Sequence, residues 1–310
     1  SKVLFIPRAA LAARALHREY RFDIFWAMMS YMLFPRVVLR CMGIRVPCLL
    51  TLQEGDPWEH MFSRWFILPL RPFLSYGFRH ASAVTALSRY LATWARRLGY
   101  AGAINIVPNG VDIQGFSGNA VAHEGAVLIT TSRLVHKNAI DDVIRALSLL
   151  PSRVRFQILG TGPDKAALTE LARTEGVSDR VAFLDHVDHK DMPRYLHAAD
   201  IFIRTSRSEG QGASFMEAMG AGLPVVATQE GGIADFLFDA KRNPDRETTG
   251  WAVDKDSPAQ IVEAVQNILA HPEQVARVTA TAKRLVTEKY DWNLIAKQMK
   301  GVFDRVLGNR

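Results

Sequence analysis

The sequence predicts an α/β protein with parallel sheets in two domains. Short apolar strands alternate with helices along most of the 310 residues, which is long enough for two domains of ordinary size. A polar, glycine-bearing segment at residues 115–125 interrupts this alternation, which then restarts. We therefore expect one domain over residues 1–117, a second over residues 118–290, and a final segment, residues 291–310, that packs back toward the first domain.

The expected elements follow from apolar runs, turn residues and helical spacing. In the first domain they are strands at 1–7, 22–27, 46–52, 83–86 and 104–107, with helices at 9–20, 28–42 and 89–98, the last capped by Ser88. In the second domain they are strands at 126–131, 155–159, 181–184, 201–203, 223–227 and 250–253, with helices at 139–150, 165–174, 192–198, 213–219, 258–271 and 272–290. A closing helix is expected at 293–307.

Composition and charge exclude several classes of protein. Hydrophobic residues make up 48% and charged residues 22%, which is typical of a folded globular chain. The apolar run at residues 24–35 is too short to span a bilayer. Cysteine usage indicates a reducing compartment, and we expect a cytoplasmic protein. The two cysteines, Cys41 and Cys48, fit no metal or redox motif and are expected as buried free thiols. The net charge of +7 arises in residues 1–115, which hold 14 Lys and Arg against 6 Asp and Glu, but no nucleic-acid recognition module accompanies it.

The stretch from Ser206 to Thr228 carries the strongest chemical signal. It predicts a strand, a loop with glycines at 210 and 212, a helix, a turn and a second strand. Loop amides at a helix N-terminus favour phosphates. Glu209 and Glu217, eight positions apart, could each accept hydrogen bonds from sugar hydroxyls, although isolated glutamates are more often solvated surface charges.

A second loop between a strand and a helix carries two cations, Arg133 and Lys137. Such cations near a helix N-terminus suit a diphosphate, although alone they would be read as solvated charges. Gly160 and Gly162 follow the next strand, but the third glycine of a dinucleotide fingerprint is missing. The acidic and histidine residues at 185–189 lack the spacing of a metal site, and we expect them to form a polar loop that shapes a base pocket near Val187.

These stretches resemble the retaining glycosyltransferases of group 1, also called family 4. The segment from Glu209 to Glu217 resembles that family's E-x7-E signature, and S-R-L-V-H-K-N at 132–138 resembles its G-R-L-x-x-x-K loop. P-N-G-V-D at 108–112 resembles a turn at the end of the first domain, and Gly231-Gly232 resembles a further family turn. The resemblance implies the GT-B architecture of two Rossmann-like domains. The family's first strand and glycine-rich loop have no counterpart, so the first domain is expected to be incomplete.

The resemblance also implies roles for individual residues. Glu209 would lie at the transferred sugar, with Arg133 and Lys137 stabilising the departing diphosphate; these three form the predicted catalytic set. Glu217 would hold the ribose. The remaining predicted donor-binding residues are Gly210, Gln211, Gly212, Ala213, Ser214, Gly162 and Val187. Asn109 and Gly110, in the P-N-G-V-D turn, are predicted on the acceptor side or in the cleft. Glu54 and Asp56 are added as acceptor-side candidates from their place in a loop after a strand, where the family has a histidine instead.

The implied activity is transfer of a hexose from a GDP- or UDP-sugar to a glycan or lipid-linked acceptor with retention of configuration, in polysaccharide or glycolipid synthesis. No metal or other cofactor is expected. Residues 61–80, from Met61 to His80, mix arginines with aromatic residues and suggest an interfacial helix on an anionic membrane, at the inner face of the plasma membrane. The alternative for this stretch is an ordinary helix packed in the first domain. The alternatives are a binding-only protein or inactive fragment, a sugar-nucleotide epimerase, and a glycan phosphorylase, for which no pyridoxal lysine motif is evident.

Overall fold

The computed structural model describes residues 2–118 and 121–308, and the chain forms two compact units. Unit 1 contains the chain up to Asn109 together with the chain from Ile295 onward, and unit 2 is Gly110–Leu294. The division therefore lies eight residues before the expected boundary at residue 117. The last helix groups with unit 1, the domain toward which residues 291–310 are expected to pack.

Unit 1 is built on a four-stranded parallel sheet with the strand order β1-β2-β3-β4. Its elements up to Asn109 are α1 (Lys2–Tyr20), β1 (Phe25–Met28), α2 (Leu33–Cys41), β2 (Cys48–Leu52), α3 (Trp58–Phe62), α4 (Arg71–Arg79), β3 (Ala83–Ala86), α5 (Arg89–Arg97) and β4 (Ile104–Ile106). Every residue of β2 is buried, as expected for an inner parallel strand. Ser88 caps α5 by accepting a hydrogen bond from the Leu91 amide at 3.2 Å, as predicted.

Unit 2 is built on a six-stranded parallel sheet with the order β10-β9-β8-β5-β6-β7. Its elements are β5 (Ala126–Thr131), α6 (Ile140–Leu149), β6 (Val154–Leu159), α7 (Lys165–Thr174), β7 (Val181–Asp185), α8 (Met192–His197), β8 (Ile201–Arg204), α9 (Ala213–Gly220), β9 (Val225–Ala227), β10 (Trp251–Ala252), α10 (Pro258–Ala270) and α11 (Pro272–Tyr290). The chain runs outward from β5 to β7 and returns to β8, on the other side of β5. This reversal is a topological switch point, where open parallel sheets bind ligands at the carboxyl ends of their strands.

The last helix, α12 (Trp292–Gly308), completes unit 1. Its apolar residues Ile295, Val302 and Val306 pack against Leu49 and Val107. The opposite face of the unit 1 sheet is covered by a second cluster that includes Phe62, Phe78 and Trp94. In unit 2, two large apolar clusters cover the two faces of the sheet in the same way.

Most predicted elements agree with the structure to within a few residues, and three expectations were wrong. The strand at 1–7 is part of α1 (Ser1 lies outside the described residues), since Ile6 and Ala10 share the helical face that packs inward. The helix at 28–42 begins only at Leu33, after a 3₁₀ turn. The stretch 61–80 is not one helix, because it contains the end of α3, a 3₁₀ turn at Leu68–Leu70 and α4.

Two further observations concern composition. Cys48 is buried as predicted, but Cys41 is exposed, so the expectation for Cys41 was wrong; both thiols are free. Cys48 begins the fully buried strand β2, whereas Cys41 is the last residue of α2. None of the helices in the described ranges is long and apolar enough to cross a membrane.

Candidate functional site

The loop after β5 carries the two predicted phosphate-binding cations. Buried Asn138 fixes it by donating a hydrogen bond from Nδ2 to the Arg133 carbonyl at 2.6 Å. Ala139 then takes a left-handed conformation, with φ of 53°, directly before α6. Arg133 is exposed and Lys137 half-buried, so a folded loop presents the Arg133 guanidinium to solvent.

Gly160 and Gly162 allow the loops after β5 and β6 to touch through their backbones. A Cβ on Gly162 would lie 2.1 Å from the Leu134 carbonyl oxygen, and one on Gly160 would lie 1.9 Å from that of Ser132. Gly160 also has φ of 138°, which other residues rarely adopt. The Leu134 amide donates to the Thr161 carbonyl at 2.9 Å across the same contact. The two glycines therefore serve close backbone packing beside the Arg133 loop.

A cavity of about 460 Å³ opens at the carboxyl ends of β5, β6 and β7. Its lining includes three predicted site residues, Arg133, Gly162 and Val187, together with His186 and Met192. The structure thus brings together a cation, a glycine turn and an apolar wall that lie up to 54 positions apart in the sequence. A cavity with this lining suits the flat ring of a nucleobase next to a phosphate.

Glu209 lies in the loop after β8 and is held from two sides. Its Oε2 accepts a hydrogen bond from Arg204 Nη2 at 2.5 Å, and its Oε1 accepts one from the Gly210 amide at 3.0 Å. The side chain remains 13% exposed. Glu209 is therefore a fixed carboxylate with a small accessible edge, which is unlike the solvated surface charge considered from sequence alone.

The N-terminus of α9 follows directly. Gly212, with φ of 81°, is the residue before the helix, and Ala213 and Ser214 form its first turn. Ser214 Oγ accepts a hydrogen bond from Arg204 Nη1 at 2.9 Å, while Gln211 is buried. Phe215, Met216 and Met219 are fully buried as predicted, so α9 is anchored by its apolar face.

Glu217, in the middle of α9, lies beside a second cavity. Its carboxylate accepts a hydrogen bond from Nε2 of the exposed His189 at 3.0 Å. Both side chains line a cavity of about 650 Å³, together with Gly110, Asp112 and Trp292. Glu217 therefore has an exposed partner that a ligand could displace.

Arg207 connects the loop after β8 to the loop after β5, which carries Arg133 and Lys137. Its guanidinium contacts Asp141 at 2.9 Å, Asp142 at 3.1 Å and Asp256 at 2.6 Å. It also donates to the His136 carbonyl, and its amide donates to the Lys137 carbonyl, both at 2.7 Å. Burial acts to lower the pKa of Arg207, but hydrogen bonds to Asp141 and Asp256 raise it above its ordinary value. These contacts hold the loop after β8 against the loop that carries Arg133 and Lys137.

The contacts around Arg207 shift the pKa values of Asp141 and Asp142 in opposite directions. Burial acts to raise the pKa of Asp141, yet hydrogen bonds from Arg207 and Arg145 bring it below its usual range. Burial and the charge of Asp141 raise the pKa of Asp142. Asp142 is thus the member of the pair that takes up a proton first as the pH falls.

The predicted acceptor-side residues in unit 1 have different surroundings. Glu54 is almost fully buried and accepts hydrogen bonds from the Ser30 and Gln53 amides, at 2.5 Å and 2.9 Å. Asp56 is partly exposed and lies 4.0 Å from His60. Asn109 is the last residue of the first segment of unit 1, whereas Gly110 belongs to unit 2 and lines the 650 Å³ cavity with Glu217.

The polar loop at 185–189 makes pairwise contacts. Asp185 pairs with Lys165, His186 lies 3.5 Å from Asp188, and His189 binds Glu217. Within residues 2–118 and 121–308, no group of three or more His, Cys, Asp or Glu side chains is placed to hold a metal ion.

Sequence reasoning missed Arg204 and Arg207, and it placed His189 in a polar loop without its contact to Glu217. Arg204 closes the buried strand I-F-I-R, and a buried cation needs a nearby carboxylate, so its position in that strand was an available signal. Arg207 could have been paired with the two aspartates at the start of α6. His189 contacts a residue 28 positions away, and no sequence feature marks that pairing.

Comparison with known proteins gives two family matches. The model described as glycosyl transferases group 1 matches residues 116–285, and the model described as glycosyltransferase family 4 matches residues 1–114. A GDP-mannose-dependent alpha-(1-6)-phosphatidylinositol monomannoside mannosyltransferase of Mycolicibacterium smegmatis is 30% identical over 250 residues, which cover 74% of this chain and 64% of that protein. A glycogen synthase of Mycobacterium tuberculosis is 26% identical over 205 residues, which cover 64% of this chain and 48% of that protein. The chain thus spans less than two thirds of the length of either relative.

Solved structures show the same fold. Sucrose-phosphate synthase from Thermosynechococcus elongatus matches with a TM-score of 0.86 and 20% identity, over 98% of this chain and 79% of that one. HepE of Anabaena in complex with UDP-glucose matches with a TM-score of 0.82 and 22% identity, over 95% and 82% of the two chains. The predicted α/β fold with two Rossmann-like units of the GT-B class is confirmed. The chain belongs to the group 1 glycosyl transferases.

Proposed function

We propose that this protein transfers a hexose from a nucleotide sugar to an acceptor hydroxyl with retention of the anomeric configuration. The observation that carries the proposal is the constellation at the switch point of unit 2. There, the fixed carboxylate of Glu209 precedes the N-terminus of α9, and Arg133 lines a cavity suited to a nucleobase.

In this proposal the donor lies along the carboxyl edge of the unit 2 sheet. The base occupies the cavity lined by Gly162 and Val187, and the diphosphate contacts Arg133 and Lys137. The amides at the start of α9 add partial positive charge near the same phosphates. Glu217 accepts hydrogen bonds from the ribose hydroxyls, for which its present partner, His189, is exposed enough to move aside.

The proposed chemistry is electrostatic. Cleavage of the bond between sugar and diphosphate leaves negative charge on the departing phosphate, which Arg133 and Lys137 stabilise. The acceptor attacks from the same face of the sugar, and the departing phosphate takes the acceptor proton. Glu209 positions the sugar through its hydroxyls. These two cations neutralise the charge of the diphosphate in this proposal, and no metal ion or other cofactor is invoked.

The donor is proposed to be a GDP- or UDP-sugar and the acceptor a glycan or a lipid-linked molecule. The relative from Mycolicibacterium smegmatis is a GDP-mannose-dependent enzyme of phosphatidylinositol monomannoside, which supports GDP-mannose and a glycolipid acceptor. The HepE structure contains UDP-glucose, which supports a uridine donor. A role in cell-envelope glycolipid or polysaccharide synthesis follows from either acceptor.

A ligand panel followed by a turnover assay tests this function. GDP, UDP, ADP and their sugars are compared by thermal unfolding, where a ligand at 100 times its Kd adds about 2.7 kcal/mol and raises Tm by a few degrees. The responding donor is then incubated with phosphatidylinositol vesicles, and released nucleotide and product configuration are measured by proton NMR. Nucleotide release with a retained configuration is expected. Binding without release indicates a binding-only protein, and a changed sugar still attached to its nucleotide indicates an epimerase.

We also propose that an aromatic and basic surface of unit 1 meets an anionic membrane. Trp65 is 83% exposed, and Phe66, Leu68 and Phe73 are exposed beside it. The Arg64 guanidinium lies 5.8 Å from the centre of the Phe66 ring. Exposed aromatic rings flanked by arginines suit the interface of an anionic bilayer. This surface consists of a loop, a 3₁₀ turn and the start of α4, and it would place the protein peripherally on the inner face of the plasma membrane.

Flotation with phosphatidylglycerol vesicles at low salt tests this surface. The wild-type chain is expected to float with the vesicles, and the double variant Trp65→Ala, Phe73→Ala to remain at the bottom. Leu149→Ala removes an apolar side chain of unit 2 that is 63% exposed and is the control, which should float normally. Equal flotation of all three proteins would contradict the assignment.

A further inference from the structure

We propose that Arg204 is a positioning residue that fixes the Glu209 carboxylate for sugar transfer, an inference that rests on the proposed function. Arg204 ends β8 and therefore stands at the switch point of the unit 2 sheet. Its guanidinium holds Glu209 through Nη2 at 2.5 Å. The same guanidinium donates through Nη1 to Ser214 Oγ at 2.9 Å and to the Thr131 carbonyl at 3.3 Å.

These contacts join three separate elements. Thr131 ends β5, Glu209 lies in the loop after β8, and Ser214 is in the first turn of α9. One rigid, planar fork therefore sets the spacing between a strand end, the carboxylate and a helix N-terminus. A lysine, with a single ammonium on a flexible stem, could keep the charge but not this geometry.

The burial of Arg204 makes its partner essential. Its side chain is only 7% exposed, and its guanidinium carbon lies 4.3 Å from the centre of the Phe215 ring. Burial lowers the pKa of Arg204, while the charges of Glu209 and Glu217 act to raise it. A buried cation is stable only beside an anion, so Glu209 is drawn to one place.

Glu209 is left with little freedom as a result. Its second oxygen accepts a hydrogen bond from the Gly210 amide at 3.0 Å, so both oxygens are held while the side chain keeps a 13% exposed edge. Small displacements of a group that orients a reacting substrate can lower the rate by about 100-fold. The pair therefore aligns the carboxylate before a donor arrives.

Gly212 leaves room for the Arg204 guanidinium. A Cβ at this position would lie 2.8 Å from Arg204 Nη2 and 2.5 Å from the Phe215 ring. The absence of a side chain at Gly212 thus leaves space for the guanidinium stacked on Phe215, in addition to freeing the loop amides for phosphate.

The test compares Arg204→Met and Arg204→Lys with Arg155→Met, which removes an exposed arginine from β6. Nucleotide release from GDP-mannose and UDP-glucose, with phosphatidylinositol vesicles as the acceptor, gives kcat and KM, and calorimetric titration with GDP and UDP gives both the affinity and the number of folded sites. We expect kcat per folded site to fall about 100-fold in Arg204→Met, with nucleotide Kd changed less than about threefold. Arg204→Lys should recover part of kcat, and Arg155→Met should match the wild type.

A double variant separates positioning from general support of the fold. If Arg204 acts through Glu209, then Arg204→Met combined with Glu209→Gln should be no slower than Glu209→Gln alone. Full kcat per folded site in Arg204→Met, or losses that multiply in the double variant, would overturn this inference alone. A wild-type chain that releases nucleotide from no donor would overturn the proposed function and this inference with it.

Discussion

Glu54 in unit 1 and Glu209 in unit 2 both follow the carboxyl end of a buried parallel strand, yet their partners differ. Glu54 is 1% exposed, and both its oxygens accept hydrogen bonds from backbone amides. Glu209 is 13% exposed and shares its charge with the buried Arg204 side chain. The first glutamate joins two loops of its own unit, whereas the second is part of a side-chain network that still reaches solvent.

This difference teaches that position at a strand end does not by itself identify a site carboxylate. A carboxylate bound only by backbone amides holds loops in place and has little surface for a ligand. A carboxylate bound by a cation keeps its orientation and can still accept from a ligand on its free edge. The acceptor-side role predicted for Glu54 stays a prediction, and its contacts favour a part in holding the loop at Ser30.

The largest expected effect is on the buried ion pair. Glu209→Gln leaves the Arg204 cation buried without an anion, so we expect the unfolding free energy to fall by about 3 kcal/mol. Adding Arg204→Met, which packs an apolar chain on Phe215, should restore part of that loss. Urea unfolding of the single and double variants measures both. The exposed pair of Glu170 and Arg173 supplies the control, since Glu170→Gln should leave the urea midpoint nearly unchanged. Equal shifts of the urea midpoint in Glu209→Gln and Glu170→Gln would contradict the claim that Glu209 stabilises the buried Arg204 cation.

The second largest expected effect is the loss of stability on substitution of Glu54. Glu54→Gln replaces one accepting oxygen with an amide that faces a backbone N–H, so we expect a loss of about 2 kcal/mol in the unfolding free energy. Urea unfolding measures it, with exposed Glu59→Gln as the matched control in the same unit. A cost at Glu54 no greater than at Glu59 would show that its amide contacts contribute little.

Substitution of Glu217 is expected to affect nucleotide affinity more than the stability of the free protein. The Glu217 side chain is 15% exposed and its partner His189 is 69% exposed, so Glu217→Ala should lower the unfolding free energy by about 1 kcal/mol, less than Glu209→Gln. The affinity for GDP or UDP should fall about tenfold, equivalent to about 1.4 kcal/mol, because the ribose loses its acceptor. Calorimetric titration checks this, and unchanged affinity would remove Glu217 from the donor site.

The smallest expected effect is on the reactivity of Cys48, the first residue of β2, the strand that precedes Glu54. Burial raises the pKa of the Cys48 thiol to about 11, and only a thiolate reacts readily. Iodoacetamide at pH 8 should therefore modify the exposed Cys41 alone, with Cys48 reacting only after denaturation. Mass spectrometry of the digested protein counts the modified sites. Rapid modification of Cys48 in the native protein would mean that β2 opens readily.

The sequence was sufficient to predict most strands and the residues that carry a local pattern. Arg133, Gly162 and Val187, three residues of the predicted donor site, line one cavity, and their roles there stay a prediction. The wrong or missing predictions concern contacts between residues that are distant in the sequence. The apolar start of α1 suggested a strand, because nothing local shows that Ile6 and Ala10 face the core of unit 1. The partners of Arg204 and Arg207 lie up to 73 positions away, at the end of β5 and the start of α6, which only the sheet order brings together with β8.

The most direct test of the central claim is the turnover of Glu209→Gln per folded nucleotide-binding site, with GDP-mannose and UDP-glucose as donors, phosphatidylinositol vesicles as the acceptor and Glu170→Gln as the control. The account predicts nucleotide release about 100-fold slower than in the wild type, with GDP or UDP affinity changed less than about threefold. Release at the wild-type rate, or a parallel loss of nucleotide affinity, would contradict the claim that the Arg204-held carboxylate of Glu209 acts on the transferred sugar.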